Sequence, residues 1–345
     1  MRSPQQTIQK YISLALFFLL IQAPAVTNAQ QTASNSKSVH GGSPEDWTSL
    51  SLTGSDLRPD KPILGETDDF PQFTRELIRV QWRMADPINL YVILPKGVSK
   101  PPVILYLYSY PSETDRFRDN DYCVRLTHDG FAAVGFVSAL TGHRYANRPM
   151  KEWFVSELQE SLATSVHDVQ MILNFLSSRD DLDMSRVGMF GAGSGGTIAI
   201  LAAAADPRIK AIDVLDPWGD WPEWMASSSI VPENERPNYV KPEFLKKVAG
   251  LDPIDWLPEL KMQHIRVQQV LDDDVTPKAA RDRIASAAPA TATVVKYEGT
   301  AQFFGAVSGG RIFEWIKDSF RPPAAPASTQ KSASIAPHVE PGHDD

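Results

Sequence analysis

The sequence is short of cysteine and of positive charge, and both shortages exclude classes of protein. Cys123 is the single cysteine among 345 residues, so no disulfide can form within the chain. No cysteine–histidine spacing typical of a structural zinc site occurs, and we expect no metal. Lys and Arg number 34 against 42 Asp and Glu, a formal net charge of −8. This balance argues against nucleic acid or an anionic membrane as a partner.

Long hydrophobic runs are also missing, with one short exception near the N-terminus. Arg2 and Lys10 precede an apolar run over residues 11–21, and a triplet of small residues ending at Ala29 follows. The run is too short for a typical transmembrane helix, and its flanks are those of a secretory signal peptide. The sequence therefore predicts cleavage near Ala29, a secreted or periplasmic protein, and no stable membrane span after cleavage.

Composition divides the remaining chain into three parts. A stretch rich in Ser, Thr, Gly and Pro lacks periodicity and predicts a flexible leader. A C-terminal stretch rich in Pro, Ala and Ser predicts a disordered tail. The predicted organisation is a signal peptide over 1–29, a leader over 30–64, one folded domain over 65–320 and a tail over 321–345.

Hydrophobic periodicity within the folded domain alternates between strands and helices. Residues 76–82 alternate polar with apolar side chains, residues 88–94 follow as a second strand, and residues 103–108 form a nearly continuous apolar run typical of a buried strand. A long helical pattern covers residues 158–176. This rhythm predicts an α/β fold with a mainly parallel central sheet and helices on both faces. Residues 216–260 depart from it and are rich in Trp and Pro.

A run of small residues over 191–197 interrupts the domain. It follows a short apolar run and precedes an alanine-rich helical pattern, which predicts a strand, a sharp turn and a helix. Gly191, Gly193 and Gly196 match the G-x-G-x-x-G fingerprint of dinucleotide-binding proteins, and Asp216 stands where the ribose-binding acid would be. One interpretation is therefore a nucleotide-binding oxidoreductase. A turn that only packs a helix closely against a strand produces the same spacing.

Residues 187–196, which read VGMFGAGSGG, resemble the nucleophile elbow of the α/β-hydrolase superfamily. The resemblance is to its dienelactone hydrolase and prolyl-oligopeptidase branch and covers about residues 76–320. It implies an α/β-hydrolase fold, with residues 216–260 as a cap over the site. Laid without gaps, it puts the nucleophile position at Gly193. A shift of one residue makes Ser194 the nucleophile instead, and the sequence leaves both registers open.

The resemblance also implies positions for the rest of a Ser-His-Asp triad. The loop D-D-V-T-P resembles the family's acid loop and implies that Asp273 is the acid. The segment YEGTAQFF resembles the family's base-bearing segment and has Gln302 at the histidine position. An amide does not accept a proton at neutral pH, so Gln302 cannot act as a general base. The His-Gly pair usual after the family's third strand is replaced by Tyr108 and Ser109.

Three departures at once predict that the triad is lost. We expect an exported protein of α/β-hydrolase fold that binds or scaffolds, without a cofactor, and whose pocket takes a small apolar or acyl compound. The candidate binding residues are Tyr108, Ser109, Ser194, Trp218 and Trp221.

A secreted serine hydrolase of the esterase or peptidase kind is the competing interpretation. Ser194 would be its nucleophile, and His143, which follows a buried strand, would be its base. The tryptophans of residues 216–260 fit either account, because they could wall an apolar pocket or only pack the cap onto the body.

Overall fold

The structure is a computed structural model, and it describes residues 45–110, 114–140 and 157–321. The predicted signal peptide, the tail beyond residue 321 and the candidate base His143 lie outside the described residues. Within them, the strands are β1 (Ile63–Asp69), β2 (Phe73–Val80), β3 (Ile88–Pro95), β4 (Pro102–Leu107), β5 (Ala132–Phe136), β6 (Asp183–Ala192), β7 (Ile209–Leu215), β8 (His264–Val270) and β9 (Thr293–Tyr297).

All of these strands form one sheet in the order β1-β2-β3-β5-β4-β6-β7-β8-β9. The pairs β1–β2, β2–β3 and β3–β5 are antiparallel, and every pair from β5–β4 to β8–β9 is parallel. The predicted α/β fold with a mainly parallel sheet is therefore confirmed. Because the carboxyl ends of parallel strands meet at one edge of a sheet, loops after β4, β6, β7 and β8 converge there.

Helices cover both faces of the sheet, as the sequence predicted. The described α-helices are α1 (Asn120–Thr127), α2 (Leu158–Ser177), α3 (Ser194–Ala205), α4 (Trp221–Ser227), α5 (Arg236–Tyr239), α6 (Pro242–Val248), α7 (Pro253–Trp256), α8 (Lys278–Ala287), α9 (Thr300–Val307) and α10 (Glu314–Asp318). None of the helices in the described ranges is long and apolar enough to cross a membrane.

Strand β4 shows why the core divides into two clusters. Its side chains alternate between faces, so Leu105 packs with α2 and α3 while Tyr106 packs with α1 and α10. Burial on both faces explains the unbroken apolar run of this strand, since a strand covered by helices on each side has no solvent-exposed face. The first of these clusters lies under the helix that begins at the glycine-rich turn.

The start of the domain differs from the sequence prediction in two ways. Residues 76–82 and 88–94 were predicted as the first two strands, but β1 precedes them and pairs with β2 at the sheet edge. Strand β1 carries mostly polar, exposed residues and thus lacks the alternating pattern that identifies a half-buried strand. The predicted leader also ends earlier than expected. From Glu45 onward the chain lies on the body, where Leu50 is buried and the carbonyl of Leu50 accepts a hydrogen bond from Gln170.

The Trp- and Pro-rich segment predicted as a cap consists of short helices, α4 to α7. Trp218, Trp221 and Trp224 are fully buried, and their rings lie 4.9 Å (Trp218–Trp224) and 5.8 Å (Trp221–Trp224) apart. The indole N–H of Trp221 donates to the carbonyl of Leu251, which ties α4 to the turn before α7. These contacts favour the packing account of the tryptophans over the pocket-wall account.

Candidate functional site

The corner between β6 and α3, residues 191–196, is the centre of the candidate site and is called the glycine corner. Gly193 joins the two elements with φ 53° and ψ −122°, and Ser194 is the first residue of the helix. A positive φ of this size strains any residue with a Cβ atom, which is why glycine suits the position. The N–H of Gly193 donates to the carbonyl of Leu215 at 2.9 Å, so the tip of the turn lies beside the end of β7.

The neighbouring glycines allow the helix to approach the sheet closely. A Cβ atom on Gly191 would lie 2.3 Å from the carbonyl oxygen of Gly195, and one on Gly195 would lie 2.2 Å from that of Leu107. Neither distance is possible between non-bonded atoms. Close strand–helix packing therefore accounts for the glycine spacing without a dinucleotide. The turn also follows the third parallel strand, whereas the dinucleotide fingerprint belongs to the first strand–helix turn of its fold.

The space next to Gly193 is filled by two side chains from neighbouring loops. A Cβ atom on Gly193 would lie 2.4 Å from Oγ and 2.8 Å from Cβ of Ser109, and 3.2 Å from Nε1 of Trp218. A serine at this position would thus collide with Ser109 in the present arrangement. The sequence signalled Ser109 and Gly193 separately, but only the fold brings them together.

Ser194 is fully buried, and its hydroxyl is held in place. Its Oγ accepts a hydrogen bond from the backbone N–H of Tyr110 at 3.0 Å. Tyr110 was not among the residues singled out from the sequence, because a backbone N–H after a strand leaves no side-chain signature. One turn along α3, the hydroxyl of Thr197 donates to the carbonyl of Trp218 at 2.6 Å. The helix start is therefore bonded to the loops after both β4 and β7.

The histidines in the described ranges all lie away from Ser194. His128 pairs with Asp129 on the surface, and His167 contacts residues near the start of the domain. His264 begins β8, at the opposite edge of the sheet from the carboxyl ends. A base for Ser194 is thus absent from the residues that the structure describes, and His143 is not among them.

Asp273 lies on the loop after β8 and is bonded within its own loop. Its carboxylate accepts hydrogen bonds from the N–H groups of Val275 at 3.3 Å and Thr276 at 2.9 Å. Burial raises the pKa of Asp273, and these backbone hydrogen bonds act against that rise. Arg281 fastens the loop by donating to the carbonyls of Asp273, Thr276 and Leu271.

Asp216 is a second carboxyl group at this edge of the sheet. It follows β7 with φ 42°, and its Oδ1 accepts from the N–H of Val270 at 2.9 Å. Burial and then the negative charge of Asp273 raise the pKa of Asp216 to about 8. Asp216 is therefore neutral at pH 7 and adjoins the acid loop, a setting that does not suit an acid meant to bind a ribose through an ionised carboxylate.

Gln302 lies on α9, an exposed helix. Its Oε1 accepts a hydrogen bond from the backbone N–H of Glu298 at 2.5 Å. The acid loop does reach α9, but through Asp272, whose carboxylate accepts from the N–H and the hydroxyl of Thr300 at 2.9 Å. Among the recorded contacts of the described residues, none joins Asp273 to Gln302.

Tyr108 points away from the glycine corner. Its ring packs against Phe117, Tyr122 and Phe190 on the α1 side of the sheet, and the guanidinium of Arg116 lies 4.7 Å from the ring centre. Its hydroxyl is buried without a hydrogen-bond partner, and burial raises its pKa. Of the predicted binding residues, Ser109, Ser194 and Trp218 meet at the corner. Tyr108 and Trp221 do not contact it.

Comparison with known families identifies the chain. The model of the X-Pro dipeptidyl-peptidase (S15) family matches residues 86–293, more than half of the sequence. The chain belongs to the S15 family. The match extends from before β3 to the start of β9 and so includes the glycine corner and the acid loop. The predicted α/β-hydrolase superfamily is thereby confirmed, and the chain shares its fold with serine hydrolases.

Solved structures show the same fold at low sequence identity. The acetyl xylan esterase from Paenibacillus sp. R4 has a TM-score of 0.60 and 17% identity, covering 79% of this chain and 92% of its own. Acetyl xylan esterase 1 from Thermoanaerobacterium sp. JW/SL YS485 has a TM-score of 0.60 and 14% identity, covering 81% and 96%. The acylaminoacyl peptidase of Pyrococcus horikoshii reaches 0.50 and 16%, covering 72% and 40%. A search of curated proteins gives no significant match.

Proposed function

We propose that this S15-family chain is a binding protein that does not hydrolyse through a serine triad. The observation that carries the proposal is that glycine, with the side chain of Ser109 beside it, stands at the nucleophile position of the glycine corner. Gly193 takes the strained conformation at the tip, and the hydroxyl of Ser109 fills the space where a serine side chain would begin. A nucleophile must stand free beside the substrate carbonyl. Among the described residues, no side chain at the corner does so.

The pair Ser109 and Gly193 supports a coupled replacement. In the resembled pattern a glycine stands at the position of Ser109 and a serine at the position of Gly193. Here the two residue types are exchanged, and a Cβ atom on Gly193 would lie 2.4 Å from Ser109 Oγ. The side chain lost at one position is thus offset by one gained at the other, which keeps the corner filled.

The acid and base positions support the same conclusion. Asp273 is bonded to its own loop, and Gln302 is bonded to the backbone of Glu298. A working base needs a group that accepts a proton and a carboxylate that orients it. Gln302 lacks the first property, and the contacts of Asp273 lie elsewhere.

The proposed ligand is a small apolar or acyl compound. Its chemistry rests on the relatives, since an acetyl xylan esterase and an acylaminoacyl peptidase share the fold. We also propose that the protein is exported and begins near Gln30, on the basis of its N-terminal sequence. N-terminal sequencing of secreted or periplasmic protein tests the second point, and recovery of an uncleaved cytosolic chain would contradict it.

Ser194 carries the alternative function, an esterase or peptidase. Its hydroxyl lies one residue from the tip and accepts from the N–H of Tyr110, so a hydroxyl and a backbone donor are adjacent. Against this function, Ser194 is fully buried, and no histidine in the described ranges is bonded to it. A serine without a base remains protonated and attacks acyl groups poorly.

Turnover of an activated short-chain ester by the purified chain tests the proposal. We expect no more than about 10³–10⁴-fold acceleration over water, the level that binding and backbone donors supply without a triad. The matched variant combines Gly193→Ser, Ser109→Gly and Gln302→His, and we expect a measurable gain only from the triple change, since nucleophile and base act as a unit. Turnover by the native chain that Ser194→Ala abolishes would overturn the proposal in favour of the alternative.

A further inference from the structure

The first described segment, residues 45–52, is fastened to α2 through a buried histidine. The Nδ1 atom of His167 lies 2.5 Å from Oε1 of Glu45, and its Nε2 atom lies 2.8 Å from the carbonyl oxygen of Ser49. The His167 side chain is almost fully buried. Both contacts bridge more than a hundred residues of sequence, so the sequence pattern gave no sign of them.

Both partners of the His167 ring are hydrogen-bond acceptors. The carbonyl of Ser49 has no hydrogen to donate. Burial acts to raise the pKa of Glu45, but hydrogen bonds from His167 and Arg83 outweigh it, and the pKa falls to about 2. Glu45 is therefore ionised across the ordinary pH range. Two acceptors require two N–H donors, and an imidazole ring has two only when it is protonated and cationic.

We propose that His167 is a proton-dependent latch that fastens residues 45–52 to α2. The latch is closed while the ring carries both protons, because it then bonds Glu45 and Ser49 together. Loss of one proton leaves one acceptor facing a bare ring nitrogen, and the segment loosens. The charge state follows from the geometry of the two contacts.

The charges around His167 favour its cationic form. Arg83 donates to both carboxylate oxygens of Glu45 at 2.6 Å and also pairs with Asp168, whose carboxylate accepts from the indole of Trp82. Helix α3, which packs against α2, carries no titratable side chain, and the lysines of α6 are exposed. Arg208, paired with Asp206, bonds α2 further along at Gln170 and Ser177. The other charged groups near the ring are Glu45, Asp46, Arg83, Asp86 and Asp168. Carboxylates outnumber cations there, which stabilises an imidazolium.

Other contacts of the segment do not titrate and limit how far it opens. The side chain of Gln170 donates to the carbonyl of Leu50 at 2.7 Å, and Leu50 is buried in the core. The latch therefore controls local opening rather than unfolding of the domain.

The direction of the pH dependence follows from the ring's two protons. The closed geometry needs both ring protons, so acid favours closure and base disfavours it. The segment joins the N-terminal part of the chain to the body. Acidic surroundings would thus hold that junction against α2, and alkaline surroundings would release it.

Hydrogen exchange on the full chain tests the latch. We expect the protection of the amides in residues 45–52, corrected for intrinsic exchange rates, to fall by about tenfold or more between pH 5.5 and pH 8.5. The variant His167→Gln should show low protection at every pH, without a slope. The matched control His128→Gln removes an exposed histidine on the surface and should keep the native profile.

A second variant and a direct measurement guard against a His167 variant that fails to fold. Glu45→Gln lies outside the helix core and removes the ionised acceptor, so the slope should flatten there too. Nitrogen NMR of the native ring at pH 5.5 should show two protonated ring nitrogens. A neutral ring at pH 5.5, a flat native exchange profile, or a native slope that persists in Glu45→Gln would each overturn the proposal.

Discussion

The glycine corner and helix α9 carry the two most telling departures from the resembled hydrolase pattern, and they differ in burial and packing. At the corner Ser194 is fully buried and neighbouring backbones are in contact. Helix α9 has no buried residue, and Phe304 on it is 55% exposed. Under the proposed loss of the triad, a change in the packed region has to be matched by a neighbour, the role proposed for Ser109. A change to Gln302 in the exposed region needs no compensation.

The comparison yields predictions about which positions tolerate change. The largest effect is expected where the packing is tightest. Gly193→Ser should lower the free energy of unfolding by about 2–3 kcal/mol, because the new Cβ meets Ser109 and the backbone has positive φ. Gly305→Ser on α9 is the matched control, since nothing lies within 4 Å of its Cβ position. It should change stability by no more than about 0.5 kcal/mol in chemical denaturation. Equal losses for both variants would contradict the contrast.

A double-mutant cycle measures the coupling at the corner. Ser109→Gly combined with Gly193→Ser should be more stable than the sum of the single changes predicts, by about 1 kcal/mol or more, because the collision is removed. The cycle uses the same denaturation assay for all four chains. Strictly additive effects would mean that Ser109 does not fill the space of a lost serine.

The buried carboxyl group of Asp216, beside the glycine corner, should give a pH-dependent effect on stability that is no larger than the effect of Gly193→Ser. The pKa of Asp216 is raised to about 8 in the folded chain. The unfolded chain releases this proton near pH 4, so this group lowers stability progressively as the pH rises from about 4 to about 8. At about 1.4 kcal/mol per pH unit, Asp216→Asn should therefore stabilise the protein by about 2 kcal/mol at pH 5.5 and by little at pH 4. The same gain at both pH values would show that the carboxyl is not protonated when folded.

The smallest effect is expected on the exposed side. Gln302→Ala removes a hydrogen bond to the backbone of Glu298 at an exposed site. The free energy of unfolding should therefore change by no more than about 0.5 kcal/mol. Thr300→Val removes a hydroxyl that contacts Asp272 and serves as a comparison, because it removes one of the hydrogen bonds that join α9 to the acid loop. A larger loss for Gln302→Ala than for Thr300→Val would assign Gln302 a structural role that its contacts do not suggest.

Much of the fold could be predicted from the sequence because its signals are local. The apolar run of β4 and the long period of α2 arise from burial on each side of a single element. Strand β1 was not predicted because an edge strand with exposed polar residues has no periodic hydrophobic pattern. The packing of residues 45–52 was not predicted because the residues in contact, such as Glu45 and His167, are far apart in the sequence.

The candidate site was predictable only in part. The gapless register put Gly193 at the turn, and the structure has Gly193 there with positive φ. The filling of the corner by Ser109 was not predictable, because it depends on how the loops after β4 and β6 meet. The interpretation of Trp218 and Trp221 stayed open for the same reason, since the sequence pattern of aromatic residues is the same in a pocket wall and in a core.

Labelling by a fluorophosphonate probe tests the central claim most directly, because the probe reacts only with an activated serine. The purified chain is incubated with the probe, and the intact mass is measured beside that of Ser194→Ala. We predict no covalent adduct on either chain, since Gly193 has no hydroxyl and Ser194 is buried without a base in the described residues. Stoichiometric labelling of the native chain that Ser194→Ala abolishes would contradict the account and establish a serine hydrolase.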